Sequence, residues 1–442
     1  MSAAANPANP QLLKPLYAAA FSADITPPIG EPLCYALQKV TAILIEHPLA
    51  AKGVVLRQGE TTVVLCALDL CSLANDADWQ FRKRLARAAR TTPARVAAQS
   101  LHLHTVPGIN PDLTRLATAP DALCCGTAEY FETVTRKTAA AVSEAVARLE
   151  PVTHIGHGWA AVDRVASSRR IRTPDGNIMP RYSCTEALDE FMAPEGLIDG
   201  FVRTVAFHAG DRMIAQLHYY ATHPQSFYGD GHVTCDVPGL ARARLEQETG
   251  VPQIYFTGCS GNVTMGKYNN GSPECRAELA QRLYDGMARA TKAIKREPAG
   301  EMAWKVVRVR FPYSTAAADA AEPLQQTLLD PARSVGERVR AAWALGYAER
   351  VRSRRPFELS CLSLGPVRTV HLPGEPFVEY QLWAQRVAAD RFLAVAGYGD
   401  GAMGYICTDE AFTDRGGYEQ TWAFAGRCER VLKNAIKRLL AE

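Results

Sequence analysis

Two histidines one residue apart stand in the run Ser100-Leu101-His102-Leu103-His104-Thr105-Val106-Pro107-Gly108. On an extended strand alternate side chains share a face, so the spacing predicts both imidazoles on one side, with Leu101 and Leu103 in the core. Such a pair before a Pro-Gly turn suits a metal or catalytic site, and equally a hydrogen-bonded pair with no metal. A third imidazole, His223, closes the run Leu217-His218-Tyr219-Tyr220-Ala221-Thr222 and precedes Pro224, where the chain must break. His218, in mid-strand, reads as a satisfied core residue. Glu375 follows Pro373-Gly374 at the end of another apolar run. Its carboxylate either caps the next helix or offers an oxygen ligand. Tyr398 and Tyr405 lie in a glycine-dense segment that lets backbone approach a ligand closely, although tyrosines in such loops more often pack or hydrogen-bond.

The stretch FTGCSGNVTMGKYNNG, Phe256 to Gly271, also holds groups that could react. Gly258-Cys259-Ser260-Gly261-Asn262 falls one residue short of a G-x-S-x-G nucleophile elbow, and no phosphate loop can be read there.

The elements that must position these residues follow from hydrophobic patterning. Residues 53–56 and 62–68 form a predicted hairpin about Gln58-Gly59-Glu60. Apolar residues at helical spacing predict a helix over 129–149, with others over 236–249, 273–296, 330–355, 376–391 and 417–441. Strand-like runs cover 94–101, 201–208, 213–221, 253–257, 303–311, 358–363, 367–372 and 392–398. This mixture predicts an α/β (mixed α+β) layered domain with central sheets flanked by helices. Residues 1–14 read as a loose polar arm and 15–442 as one domain. The seven arginines between Asp330 and Arg355 surround Val339, Trp343, Leu345 and Tyr347, the pattern of a basic helix with a buried stripe and a solvated charged face.

With 49 basic and 46 acidic residues, bulk charge gives no reason to expect nucleic-acid binding. Neither an export leader nor an apolar run of about 20 residues is seen, so a cytoplasmic chain without stable membrane insertion is expected. The 12 cysteines show no zinc-knuckle spacing and read as free buried thiols.

Taken in order, these segments resemble the catalytic domain of the neutral/alkaline (non-lysosomal) ceramidases. The family's DITP segment is matched by Asp24-Ile25-Thr26-Pro27, HTHSGP by His102-Leu103-His104-Thr105-Val106-Pro107, and VHP by Thr222-His223-Pro224. PGE is matched by Pro373-Gly374-Glu375 and YxTTxEEY, with substitutions, by the run from Tyr405 to Phe412. The resemblance spans about residues 18 to 440. It implies one zinc per chain held by His102, His223, Glu375 and Tyr405, with His104 donating to the oxyanion of a tetrahedral intermediate. It departs where GDVSPN meets Gly261-Asn262-Val263-Thr264-Met265-Gly266, which places Thr264 where the family keeps its serine nucleophile. The extra methyl of threonine restricts χ1 and crowds an acyl carbon. The family's C-terminal immunoglobulin-like domain is not matched either.

A zinc-dependent hydrolase of an amide or related acyl bond in a small soluble substrate is therefore expected, with metal-activated water attacking. Thr264 would position water or substrate, while Asn262, Lys267, Tyr268 and Arg170 would contact the substrate. Arg169 and Asp175 are further candidates for a polar group, or else solvated loop charges. Specificity is expected in the loops 108–127, 165–195 and 266–272. Covalent transfer through Thr264 or Ser260, an ester, lactone or sugar-derivative hydrolase, and a metal-loaded metabolite-binding protein are the alternatives.

Overall fold

The apolar runs bury on both faces and pair as the patterning requires. In the computed structural model Ala50–Gln58 and Thr61–Leu68 form the expected hairpin, turning at Gly59 with φ +57°. The structure describes residues 14–35, 38–116, 125–185, 187–227, 229–313, 321–389 and 391–441. The expected arm over 1–14 therefore lies outside it except for Lys14, as do Cys124 and the centre of the loop 108–127.

Three sheets dominate. The first runs Val96–Ser100, Thr61–Leu68, Ala50–Gln58, Leu16–Asp24, Glu150–Val152; the second Gln253–Thr257, Arg212–Tyr220, Phe201–Ala209, His154–Ala161, Lys295–Pro298. The third runs Met302–Val309, Phe357–Leu364, Val367–His371, Phe392–Ala396. Each contains a single parallel pair in an otherwise antiparallel sheet: Thr61–Leu68 with Val96–Ser100, Arg212–Tyr220 with Gln253–Thr257, and Val367–His371 with Phe392–Ala396. The carboxyl ends of these pairs meet. Thr257 Oγ1 donates to Leu101 O at 2.7 Å, Gly397 N to Thr257 O at 2.9 Å, and Ser100 N to Tyr398 O at 2.8 Å. Sites in α/β sheets assemble at such strand ends.

Helices cover the sheets. Asp76–Ala88 and Ala128–Ala147 lie with the first sheet, Asp236–Thr249 and Pro273–Lys292 with the second, and Val378–Ala388 and Glu429–Leu440 with the third. Helix starts follow sequence: Ser272 accepts from Cys275 N ahead of Pro273, and Ser334 with Glu337 forms a capping box.

Three expectations change. The helix expected over 273–296 stops at Lys292, and Lys295–Pro298 joins the second sheet. The helix expected over 417–441 begins only at Glu429, because Gly416, Gly417 and Gly426 take φ of +80°, +76° and +59°, outside helical space. The arginine-rich helix, Val335–Arg352, does not present all its guanidinium groups to solvent. Arg338 and Arg350 are buried, and Arg350 pairs with Asp400 at 2.7 Å and Asn75 at 2.8 Å.

Among the described residues the eleven cysteines form no disulfide, and eight of them are buried. Among the described residues no helix is long and apolar enough to cross a membrane.

Candidate metal centre and its cavity

His102 does not sit on the strand that the spacing suggests. The strand ends at Ser100, and His102 takes φ +65°, a left-handed conformation that a non-glycine residue adopts only under constraint. The constraint is visible: its backbone N donates to Leu70 O at 3.0 Å, and its Nδ1 donates to Cys71 O at 2.9 Å. Leu101 and Leu103 enter the core as expected. The His102 ring stacks on Tyr398, with centroids 4.5 Å apart. Tyr398 is itself left-handed, at φ +60°.

His223 is oriented the same way, its Nδ1 donating to Ser260 O at 2.8 Å. The Tyr398 hydroxyl lies 3.2 Å from that nitrogen and 2.7 Å from Ser260 Oγ. With Nδ1 committed to a carbonyl, each imidazole turns its Nε2 towards Glu375. Glu375 arrives from the third sheet through Gly374, whose φ of +60° makes the turn, and Gly261 is packed so closely that a Cβ there would stand 2.4 Å from Glu375 O. Glu375 pairs in parallel register with Tyr405.

The resulting geometry is a candidate metal-ligand set. Nε2 of His102 and of His223 lie 3.1 and 3.5 Å from Glu375 Oε2. Neither His223 Nε2 nor Glu375 Oε2 has a hydrogen-bond partner, although both are buried. These separations match the edge of about 3.3 Å expected between tetrahedral ligands held by bonds of about 2.0–2.1 Å. Burial, followed by Arg169, pushes the His223 imidazole down to about 3. Burial opposes ionisation of Glu375, but the two imidazoles outweigh it and hold the carboxyl well below its ordinary range. Two imidazole nitrogens and a carboxylate are donor types that zinc accepts.

The Tyr405 ring lies parallel to His223, centroids 6.3 Å apart, and its oxygen accepts from Arg169 Nη1 at 2.9 Å. The His104 ring sits edge-on to His102, centroids 4.7 Å apart, and its buried Nε2 has no partner. Burial, then the charges His102 and His223 would carry, holds His104 well below its ordinary value. Cys71 with His102 and His104 makes a second set of convergent donor atoms. Its thiol resists ionisation, because hydrogen bonding to Cys34 and burial both raise its pKa well above the ordinary value. The nitrogen and carboxylate set is the better fit.

A cavity of about 400 Å³ opens on these groups. His102, His104, His223, Glu375 and Tyr405 form one end, beside Arg169. Tyr182, Ser183, Gln225 and Tyr418 supply its more polar lining, and Leu113, Val339, Trp343 and Trp422 an apolar part. Arg169 is 2% exposed, forms no ion pair among the described residues, and leaves a buried Nε without a partner.

The remaining candidates stand behind the wall. Thr264 is 0% exposed and donates to Ser183 Oγ at 3.1 Å. Ser260 is buried against Tyr398. Asn262 donates to Glu379 at 2.8 Å and accepts from Val378 N at 2.8 Å, fixing a helix start. Lys267 Nζ donates to Phe191 O and Ala193 O, both at 2.6 Å, and Tyr268 to Glu195 at 2.7 Å, so both tie down the loop opposite. Arg170 pairs with Glu419 at 2.6 Å and Asp414 at 2.9 Å. Asp175 lies in an exposed turn with Thr173 and Asn177. Ser183, Gln225 and Tyr418 carry no sequence signal, because the pairings that bring them to the cavity are long-range. His218 is the satisfied core residue expected, 2.8 Å from Thr204 Oγ1 and 2.7 Å from Gln253 Oε1.

No protein-family model and no curated protein matches the chain. Solved structures do. A ceramidase complexed with C2 superposes with a TM-score of 0.70, and the neutral ceramidase of Pseudomonas aeruginosa with 0.69. Each is 16% identical and covers 97% of this chain and 75% of its own. The chain has the neutral ceramidase fold. A neutral ceramidase fold at such low identity explains why neither sequence comparison finds a relative, while the ordered short motifs remain readable.

Proposed function

We propose that this chain is a zinc-dependent hydrolase of an amide or related acyl bond in a small substrate. The observation that carries the reading is the convergence of two Nδ1-anchored imidazoles on an unpartnered Glu375 oxygen. Ceramidases cleave an amide, and the shared fold supports the same bond class here. His102, His223, Glu375 and Tyr405 would hold the ion. When bound, zinc supplies Lewis-acid polarisation of a carbonyl and acidifies water to a pKa of about 7.

The chain's own groups do the rest. A neutral His104 has one N–H and no present partner for its Nε2, so it can donate to an oxyanion, a contact worth roughly 3–4 kcal/mol in such sites. The Arg169 guanidinium fixes the Tyr405 oxygen and brings positive charge to the same end of the cavity. The apolar part of the lining suits an acyl group. Burial of the Thr264 hydroxyl supports a positioning role over direct attack.

The test is an assay of short N-acyl amides with zinc-loaded, chelator-stripped and zinc-restored protein. Hydrolysis should disappear on stripping and return with zinc. Loss of the reading would show as zinc-loaded protein that binds these compounds but turns over neither amide nor ester.

A further inference from the structure

The segment that carries Thr264 organises a polar wall of the cavity. Thr264 Oγ1 donates to Ser183 Oγ at 3.1 Å, and Ser183 Oγ donates to Gln225 Oε1 at 2.9 Å. An amide oxygen only accepts, so the relay runs one way, from Thr264 through Ser183 to Gln225. With Oε1 held, the group that Gln225 has left to offer is Nε2–H, which has no partner among the described residues. Ser183 and Gln225 both line the cavity, and Thr264 does not.

The surroundings fix this arrangement rigidly. Asn269 Nδ2 donates to Ser183 O at 2.7 Å and to Ser226 O at 2.8 Å, clamping together the two segments that carry the relay. Ser226 N donates to the buried Asp236 at 3.0 Å, and Asp236 is itself in the left-handed region at φ +47°. Gln225 N donates to His223 O at 3.0 Å, so the carboxamide belongs to the turn that presents His223. Leu113, Val339, Trp343 and Trp422 also line the cavity and are largely apolar. In such surroundings a single fixed donor discriminates strongly between ligands with and without a matching acceptor.

We propose that Gln225 Nε2 is the specificity-determining donor of the cavity and that Thr264 is a positioning residue acting on it through Ser183. The compounds selected are acyl compounds that carry a hydroxyl or carbonyl oxygen to accept from Gln225 Nε2. This rests on the hydrolase reading of the cavity above.

Two nearly isosteric amides test it: N-butanoylethanolamine, and N-butanoylpropylamine, which has a methyl in place of the hydroxyl. Zinc-loaded protein should favour the hydroxylated amide by at least about tenfold in kcat/KM, expressed in KM. Gln225→Met should abolish the preference and Thr264→Val should reduce it, with zinc content unchanged. Thr264→Ser should restore what Thr264→Val loses, which a merely structural threonine would not require. Equal preference in wild type and Gln225→Met overturns the proposal. So does Thr264→Val with kcat reduced by about a thousandfold or more at unchanged KM and zinc content, the result expected of a nucleophile. If neither amide is hydrolysed, the hydrolase reading fails. The preference is then read as a ratio of dissociation constants from the fluorescence of the cavity tryptophans Trp343 and Trp422, and a ratio of one sinks the relay.

Discussion

Tyr398 does more for the centre than its place in a glycine-dense loop announces. Its ring backs His102 and its hydroxyl sits between Ser260 Oγ and His223 Nδ1, so it steadies both imidazoles without being a proposed ligand. Groups that orient ligands in this way typically change metal affinity by about 10–100-fold. Tyr398→Phe keeps the stacking and removes the hydroxyl, so zinc affinity should fall by about tenfold in a chelator competition; unchanged affinity would deny the hydroxyl a role. At this scale the sequence was legible where a reactive residue abuts a chain break, as at His223-Pro224 and Gly374-Glu375. Arg169 was legible only as one of two alternatives, a contact for a polar group or a solvated loop charge, because its burial depends on Ser167–Ser168 pairing with Val263–Thr264 nearly a hundred residues away. A charged residue in a loop looks solvated until its partner strand is known.

At the scale of elements, an ion pair largely shielded from solvent helps tie the third sheet's glycine-dense turn to a neighbouring helix. Arg350, near the end of the helix Val335–Arg352, reaches Asp400 at 2.7 Å, and Asp400 Oδ1 accepts from Asn75 N at 2.8 Å. Arg350→Met would leave the part-buried Asp400 without its cation, at a cost of up to about 3 kcal/mol. The urea midpoint should drop accordingly, and a variant as stable as wild type would show that the pair contributes nothing. Most elements were readable because periodicity is local: the hairpin, the strands that end at the site, and the helices with caps at Ser272 and Ser334. The misread ones are those in which backbone geometry overrode apolar spacing, as at Gly416-Gly417, or in which Lys295–Pro298 found a sheet edge.

For the molecule as a whole, three sheets each direct the end of one parallel strand pair to a common point, a convergence no local pattern encodes. The second sheet's core also carries a pH liability. Burial pushes His218 down to about 4 from its ordinary 6.5, so an unfolded chain takes up a proton that the folded one refuses. The stability it contributes is present above about pH 6.5 and is lost as pH falls towards 4, on the order of 3 kcal/mol in all. Urea midpoints at pH 7 and 4.5 should differ less in His218→Gln than in wild type; an identical difference would mean that His218 does not report the folded state.

The central claim is that His102, His223, Glu375 and Tyr405 hold one zinc, and zinc-edge X-ray absorption of the purified, zinc-reconstituted protein tests it most directly. The account predicts about one zinc per chain in a shell of nitrogen and oxygen at about 2.0–2.1 Å, lost in His223→Ala. A sulfur ligand at about 2.3 Å would contradict it, placing the ion instead on Cys71 beside His102 and His104.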